Sequence, residues 1–498
     1  MNPQHKRASN APALLLTTLF TGIVLTGCAA VGPDYTTPQA ADNPGWHTKL
    51  ERGLTADQIS PQTLSQWWTT FGDPQLSSLI ERAVAGNLDL QDAWARVCQA
   101  RANRRIAGAD MFPTLDLSAS DTWTRTSEDT GTGKTNQLFS SSFDSGWEID
   151  LFGGVRRSIE AAEASLQATH EDLRDVLVTL VAEVALNYVE VRTYQTRLAA
   201  VQENLEAQTE TYQLTQWMCD AGLTDELAVE QAHYNLESTR SQIPVLHTGL
   251  EEAMNRIAVL LGQHPGKVHQ ELSQSRPIPV TSPEIAVGMP ADMMRRRPDI
   301  RRAERDLAAQ TARVGVATAD LYPKLTLSGS IEVSAVSFNR LANNASSSGD
   351  WTLSGGPKIG WAVFDAGAIR QNIEVQSALQ EQALIQYEAV ILAALEEVEN
   401  ALVAYADEQY KNDNLREASQ AAQRAVELAQ QQYQAGLTDF SDVLDAQRSL
   451  LSFQDQLAQS DGTVTSNLVR LYKALGGGWT PFAPEENADL PAGEQNEE

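Results

Sequence analysis

Cysteine is scarce in this 498-residue chain, which contains only Cys28, Cys98 and Cys219. Cys98 and Cys219 fall on different predicted helices, at positions that do not correspond in the two repeats described below. A structural disulfide is therefore not expected, and the closely spaced cysteine pairs of zinc sites are absent. The seven histidines are scattered. We expect no metal site and no cofactor, apart from a covalent lipid.

Long apolar runs are missing after residue 25, since no later segment supplies the roughly 18 apolar residues that a transmembrane helix needs. If the chain crosses a membrane, it must do so by β-strands. Basic residues are also few, 37 against 65 acidic ones, which gives a net charge of −28. Nucleic-acid binding needs a basic face, so this charge argues against it. Part of the acidic excess lies in 479–498, which its composition predicts to be disordered.

The amino terminus has the pattern of a bacterial secretory signal. Lys6 and Arg7 precede an apolar run, 11–25, that is too short to span a bilayer. The run ends in the sequence LTGC, which predicts cleavage after residue 27 and a diacylglycerol and N-palmitoyl type lipid on Cys28. The alternative is an ordinary signal peptide with a chance cysteine. Ala29 is not the aspartate that retains lipoproteins in the inner membrane, so the outer membrane of a Gram-negative bacterium is the expected destination.

The chain is duplicated along most of its length. The sequence AGLTD at 221–225 recurs 214 positions later at 435–439, and Gly262 corresponds to Gly476 at the same offset. Near the start of each repeat the offset is 210, with Pro113 corresponding to Pro323. A duplication of this length indicates one structural unit built twice.

Each repeat combines long helices with one pair of strands. Apolar residues with helical spacing predict two long helices in each copy, at about 155–217 and 225–261, and at about 369–434 and 439–475. A shorter helix precedes each pair of strands, at 88–110 and at 299–320. The helices are too long and too narrowly striped for one compact core, so coiled-coil packing is expected.

The apolar period changes from helical to alternating at about 114–151 and 324–364, which predicts one amphipathic β-hairpin per repeat. Their polar loops are placed near 127–136 and 339–350. One interpretation is two half-buried hairpins that cover a helical core. The other is a membrane barrel, which needs at least about eight strands where this chain supplies four. A barrel therefore requires oligomerisation, and the hairpins leave two or three copies open.

Short motifs in a fixed order make the chain resemble the TolC family of outer-membrane factors, in its lipidated OprM/NodT-like efflux branch. The resemblance covers nearly all of the mature sequence. The motifs are LTGC at 25–28, WW at 67–68, FGDP at 71–74, RRPDI at 296–300, Trp361 with FDAG at 364–367, the two AGLT turns, and LGGGW at 475–479.

The resemblance implies a homotrimer that forms a 12-stranded outer-membrane β-barrel on a 12-helix periplasmic α-barrel, so the fold class is mainly α with a β-barrel part. It implies a passive exit duct, not an enzyme, that docks a periplasmic membrane-fusion adaptor and an inner-membrane pump to expel small toxic compounds. A duct for type I protein or polymer secretion is the alternative.

The two repeated turns are the first candidate site, because the resemblance places them at the periplasmic tip where adaptor hairpins dock. Gly222 and Gly436 permit the tight reversal of the chain. The residues expected to touch the adaptor are Leu223, Thr224, Leu437 and Thr438. The alternative is a helix-ending turn that has only a structural role.

An acidic pair on the second repeat is the other candidate site. Asp442 and Asp445 lie three residues apart on one helical face and match the family's gate aspartates, and Tyr433 resembles a gate tyrosine. With threefold symmetry, six carboxylates would crowd the tip and attract cations. The first repeat has Ala228 and Gln231 instead. The alternative is a solvated acidic face. Thr438 stands where some family members have an arginine in the network that closes the channel, which puts the details of such a network in doubt here.

These expectations divide the chain into six parts. They are a signal peptide at 1–27, a lipid-anchored and equatorial segment at 28–85, a first repeat at 86–262, a connecting segment at 263–296, a second repeat at 297–478, and an acidic tail at 479–498. A periplasmic adaptor would have one helical hairpin flanked by β-rich domains. An enzyme is disfavoured because neither a Gly-x-Ser-x-Gly elbow nor a His-Glu-x-x-His motif occurs.

Overall fold

The computed structural model describes residues 30–38, 45–57, 60–280, 285–344 and 351–479. The predicted signal peptide, Cys28 and residues 480–498 of the acidic tail lie outside the described residues. The chain forms two compact units. Among the described residues, the first contains 30–38, 97–169 and 303–387, and the second contains 45–96, 170–302 and 388–479.

The helices and strands follow the repeat. The helices are α1 (Pro61–Ser65), α2 (Pro74–Gly86), α3 (Leu88–Ala109), α4 (Gly154–Asp220), α5 (Glu226–Arg240), α6 (Gln242–Leu260), α7 (His269–Leu272), α8 (Pro290–Arg296), α9 (Pro298–Ala319), α10 (Phe338–Asn344), α11 (Ala368–Gln434) and α12 (Phe440–Ala474). The strands are β1 (Leu54–Thr55), β2 (Thr114–Arg125), β3 (Thr135–Ile149), β4 (Ile285–Ala286), β5 (Lys324–Ala335) and β6 (Trp351–Gly360).

Helices α4 and α11 are the longest elements, with 67 residues each. At 1.5 Å per residue, each is about 100 Å long. Neither contains a proline, and each ends immediately before an AGLTD sequence. Among the residues that the structure describes, none of the helices combines a membrane-spanning length with a sufficiently apolar sequence.

The first unit contains an antiparallel sheet of four strands in the order β2-β3-β5-β6, so the two hairpins pair with each other through β3 and β5. Leu117 lies opposite Phe143, Phe143 opposite Ile331, and Ile331 opposite Leu353. One face of the sheet therefore carries a continuous apolar row across all four strands.

This apolar face is exposed. Phe143, in the middle of the row, is 51% exposed, and its neighbours in the row are exposed as well. A hairpin that covered a helical core would bury these side chains, so the half-buried interpretation is wrong. The other face is polar, where Ser142 and Ser330 each donate to the Asp144 carboxylate at 2.7 Å.

Two predicted elements differ from the structure. The helix expected at 225–261 is divided into α5 and α6, with Ser241 between them. Pro244 has no N–H to donate to the carbonyl four residues before it, which weakens the helix at this point. The loop expected at 339–350 begins with the short helix α10, and the ring of Phe338 lies 6.1 Å from that of Phe139 on β3.

In the second unit, residues of the FGDP motif and its neighbour Gln75 hold α2 against α4. Asp73 caps α2 through a hydrogen bond from Gln75 N at 2.8 Å, and it also accepts the phenolic hydroxyl of Tyr188. Burial and this hydrogen bond raise the pKa of Tyr188 to about 12. Arg192 is fully buried and donates to the Gln75 side chain at 2.5 Å. This network fixes α2 against the middle of α4.

Arg297 of the RRPDI motif pairs with acidic residues at the start of α9. Arg297 contacts Asp299 at 2.8 Å and Glu397 at 2.7 Å, and it also donates to the carbonyl oxygen of Ala474 at 2.6 Å. This last bond satisfies a carbonyl in the final turn of α12, which otherwise has no partner within the helix. Arg297 therefore has a structural role.

Candidate functional site

The two AGLTD turns have the same backbone geometry. Gly222 and Gly436 have φ values of +73° and +70°, in the left-handed region that favours glycine. The N–H of Leu223 donates to Met218 O at 2.8 Å, and the N–H of Leu437 donates to Gln432 O at 2.9 Å. Both are helix-ending turns in which the glycine and the residue after it satisfy carbonyls of the last helical turn.

Part of the repeated sequence is explained by capping. Asp225 is the N-cap of α5 and accepts a hydrogen bond from Ala228 N at 3.0 Å. Asp439 occupies the N-cap position of α12, although its side chain makes no capping hydrogen bond. The glycine and the first aspartate therefore have structural roles that need no partner protein.

The two leucines of the turns have no such role. Leu223 is 72% exposed and Leu437 is 78% exposed. An added methyl group at Gly222 or Gly436 would meet no atom within 4 Å, so the surroundings of both turns are open. Two exposed leucines at equivalent places on two open turns form a pair of projecting apolar contacts.

The structure brings the helices that follow the two turns together. Ala228 and Ala232 of α5 form a buried cluster with Phe440 and Leu444 of α12. Tyr433, a predicted gate residue, packs against this cluster, and its ring centre lies 5.2 Å from that of Phe440. The two turns therefore lie side by side at one end of the second unit.

The predicted acidic pair is exposed, and each carboxylate has a neighbour. Asp442 accepts a hydrogen bond from the hydroxyl of Thr438, at the start of the same helix. Asp445 forms an ion pair with Arg448, one turn further along α12. Arg448 was missed in the sequence, although a basic residue three positions after an acid on a helix is a recognisable pairing signal. Asp442 thus has a hydroxyl partner, and Asp445 has a cationic one.

Apolar residues beside the first turn, which were not predicted from the sequence, are also exposed. Trp217 is 67% exposed and Leu227 is 64% exposed. Their equivalents at the second turn are Gln431 and Ser441, both exposed and polar. The first turn therefore presents a larger apolar surface than the second. The exposure of these side chains depends on packing, so the sequence carried no signal for them.

The remaining site predictions concern lipid and metal. Cys28 lies outside the described residues. Two residues after it, Ala30 lies against Gly153, and Val31 N donates to Phe152 O at 3.0 Å. Among the described residues, no group of three or more histidine, cysteine or acidic side chains is arranged to hold a metal ion.

Comparisons with known proteins match these features. The model of the outer membrane efflux protein family matches residues 79–263 and 289–477, one segment in each repeat. Nodulation protein T of Rhizobium leguminosarum bv. trifolii is 35% identical over 474 residues, which cover 94% of this chain and 98% of that protein. The solvent efflux pump outer membrane protein SrpC of Pseudomonas putida is 32% identical, over 93% of this chain and 98% of that protein.

A solved structure is similar to this chain over most of its length. The outer-membrane channel OprN superimposes with a TM-score of 0.84 at 38% identity, and the match covers 91% of this chain and 100% of that one. These similarities confirm the predicted fold class, a mainly helical chain of two tandem repeats that forms a trimeric outer-membrane channel. They also confirm its predicted function as the outer-membrane channel of an efflux system. The chain belongs to the outer membrane efflux protein family.

Proposed function

We propose that three copies of this chain form one passive duct that carries small toxic compounds from an inner-membrane pump across the outer membrane. A periplasmic adaptor joins the duct to the pump by contacting the two AGLTD turns. The protein performs no chemical conversion. The observation that carries this proposal is the pair of identical turns with Leu223 and Leu437 both exposed.

The role of the leucines follows from what the rest of each turn does. Gly222 and Gly436 have the positive φ values that the reversal requires, and Asp225 caps the next helix. Leucine is not needed for either task, and exposing a leucine to water has a free-energy cost that burial against another protein removes. An apolar groove on an adaptor hairpin would supply that burial.

The acidic pair supports a role in the passage of charged solutes at the tip. Three copies of Asp442 and Asp445 place six carboxylates around the axis, and such a ring favours cations over anions. Arg448 neutralises part of the charge of each Asp445. Asp442, whose partner is the uncharged hydroxyl of Thr438, therefore contributes most of the negative potential.

A lipid on Cys28 anchors each copy in the outer membrane. The hydrogen bond from Val31 to Phe152 holds the chain three residues after Cys28 near the end of β3. Three extended residues span about 10 Å, so the acyl chains start close to that end of the sheet. Two or more acyl chains make such an anchor stable.

The proposed cargo class is inferred from the names of the relatives. SrpC is named as part of a solvent efflux pump, and apolar solvents are small and toxic. The test is to delete the gene and measure tolerance to toluene, detergents and dyes. We expect tolerance to fall and to return when the gene is supplied again. Purified outer membranes should contain a heat-sensitive trimer, and a soluble monomer would contradict the proposal.

A further inference from the structure

The two hairpins of the sheet are copies of each other in strand register as well as in sequence. Strands β2 and β5 have 12 residues each and start and end at the offset of 210. Thr114 lies opposite Gly146 at the base of the first hairpin, and Lys324 lies opposite Gly360 at the base of the second. The first members of these pairs differ by 210 and the second members by 214, so both offsets hold within the sheet.

Two tryptophans confirm the offsets below the sheet. Trp147 donates its indole N–H to Met111 O at 2.9 Å, and Trp361 donates to Leu321 O at 3.0 Å. The two donors differ by 214 positions and the two acceptors by 210. The repeats therefore place equivalent groups on equivalent partners, and a pairing seen in one repeat predicts its counterpart in the other.

One strand of the second repeat ends early. In the first repeat, β3 extends to Ile149, and its last residues, 147–149, pair with β5 but not with β2. The equivalent strand β6 ends at Gly360, so the equivalents of these residues, 361–363, lie outside it. Among the described residues of one copy, no strand lies beside β6 where β5 lies beside β3. The early end of β6 follows from this open edge.

The open edge of β6 contains a proline. In an antiparallel ladder, the N–H groups of alternate residues face the same neighbouring strand. Thr126 N donates to Lys134 O at 3.3 Å just beyond β2 and β3, so the even-numbered residues of these strands face each other. By the offsets, the even-numbered residues of β6 face β5, and Pro357 faces the open edge. A strand tolerates proline at such an edge, because no N–H is needed there within the copy.

We propose that the open edge of β6 pairs with β2 of the next copy, in the register that β3 has with β5. This inference rests on the proposed trimeric duct, since an open edge in lipid leaves backbone groups unsatisfied and must be closed by another copy. Ser141 lies opposite Val333 inside a copy, and the other pairs follow at steps of two. The offsets give three pairs between copies, with the β6 residue first: Gly355 with Trp123, Pro357 with Asp121, and Trp361 with Leu117. We call this pairing the seam.

The side chains at the seam fit this register. Trp123 is 68% exposed within one copy, and Gly355 has no side chain to occupy the surface beside β6. The register lays the ring of Trp123 over Gly355 of the neighbouring copy, and an aromatic ring in this place stabilises a glycine in a strand. Residues 361–363 gain partners at 115–117, which makes the base of β6 as long as that of β3.

Disulfide trapping in outer membranes tests the register. In a background with Cys98→Ser and Cys219→Ser, Ser354→Cys is combined with one further cysteine. The partner positions are alternate residues along one edge, changed in three variants: Thr122→Cys, Thr124→Cys and Thr126→Cys. The seam places Thr124 opposite Ser354. This variant should form covalent trimers at least about tenfold faster than the other two, whose Cα atoms would be about 7 Å or more away, too far for an unstrained disulfide.

A matched pair exists inside one copy. Ser140 and Ser334, the equivalents of Ser354 and Thr124, lie opposite each other on β3 and β5. The variant with Ser140→Cys and Ser334→Cys should form its disulfide within the chain and give no covalent trimer. Ser354→Cys alone should also give none.

The outcomes separate the two proposals. If Thr122→Cys or Thr126→Cys links fastest, the register is wrong and the duct stands. If only the matched pair links while unlinked trimers persist, β6 does not pair with β2 in this way, and the seam is wrong. If the background protein forms no trimer, the proposed duct itself fails.

Hydrogen exchange of the unsubstituted trimer gives a second measurement that needs no cysteine variant. Backbone N–H groups in a paired strand exchange slowly, whereas those of exposed loops exchange fast. Residues 361–363 should therefore exchange as slowly as 147–149. Exchange at 361–363 as fast as in the hairpin loop at 127–133 would overturn the seam, even if every cysteine variant failed to assemble.

Discussion

Ala228 and Asp442 occupy the same position in the two repeats, but Ala228 is buried against α12 while Asp442 is exposed beside Thr438. The two turns thus have the same sequence, but the helices that follow them differ. The turns supply two similar contacts for a partner, and the helices that follow supply one apolar contact and one acidic face. This inequality lets one duplicated unit perform two tasks at the same end of the molecule.

Replacing both Leu223→Lys and Leu437→Lys should abolish efflux and leave the trimer intact. Lysine introduces a charge where we propose burial in an adaptor, and both positions are so exposed that stability should change by less than about 0.5 kcal/mol. Drug tolerance and trimer content should be measured in the same strain. The matched control is Leu223→Met with Leu437→Met, which keeps the apolar volume and should retain efflux. Unchanged tolerance in the lysine variant would exclude docking through these leucines.

Neutralising Asp442→Asn should lower the preference of the channel for cations more than Asp445→Asn does, because Arg448 already compensates the charge of Asp445. Reversal potentials of purified channels under a KCl gradient measure this preference. The change Arg448→Ala removes the compensating charge and should raise cation preference. If Asp442→Asn leaves the reversal potential unchanged, the acidic pair is an ordinary solvated face.

Replacing Asp73→Ala should destabilise the second unit by about 2 kcal/mol, since it removes the cap of α2 and leaves the hydroxyl of buried Tyr188 without its acceptor. The change Tyr188→Phe keeps the cap and should lower the free energy of unfolding by about 1 kcal/mol. The control is Ser60→Ala, which removes the exposed cap of the short helix α1. It should lower the free energy of unfolding by less than Asp73→Ala does. Denaturant unfolding of the purified protein measures all three, and equal losses for Asp73→Ala and Ser60→Ala would contradict this account.

Asp175 should make the protein less stable as the pH rises. Burial, together with repulsion from Asp299, raises the pKa of Asp175 above its ordinary value. The folded state therefore binds this proton more tightly than the unfolded state. The resulting stability is present below the unfolded pKa and is lost as the pH rises through the folded pKa.

The isosteric change Asp175→Asn keeps the group neutral and should raise the thermal midpoint at pH 7. It should also flatten the dependence of the midpoint on pH above the ordinary carboxyl pKa of about 4. Thermal unfolding at several pH values measures both effects. A lower midpoint for the variant at pH 7 would show that the ionised carboxylate stabilises the fold through Arg297 and Arg302.

The helices and strands were predictable because their signals are local. Apolar spacing identified α4 and α11, and alternation identified the four long strands. The break at Ser241 depends on one proline in an otherwise helical pattern, and α10 lies where polar residues indicated a loop. At the tip, the exposure of Leu223 and Leu437 agrees with a projecting turn. Trp217 was missed, because an apolar residue on a long helix is usually buried, and exposure depends on packing.

The sequence alone determined the duplication, the long helices and the alternating strands, since each depends on residues close together in the chain or on a fixed offset. The tertiary structure alone decided which faces meet. It showed that the apolar rows of the two hairpins form one exposed face, and that Ala228 rather than Asp442 is covered. The physical reason is that a side chain's burial depends on residues hundreds of positions away, and helical periodicity does not specify which partner covers a given face.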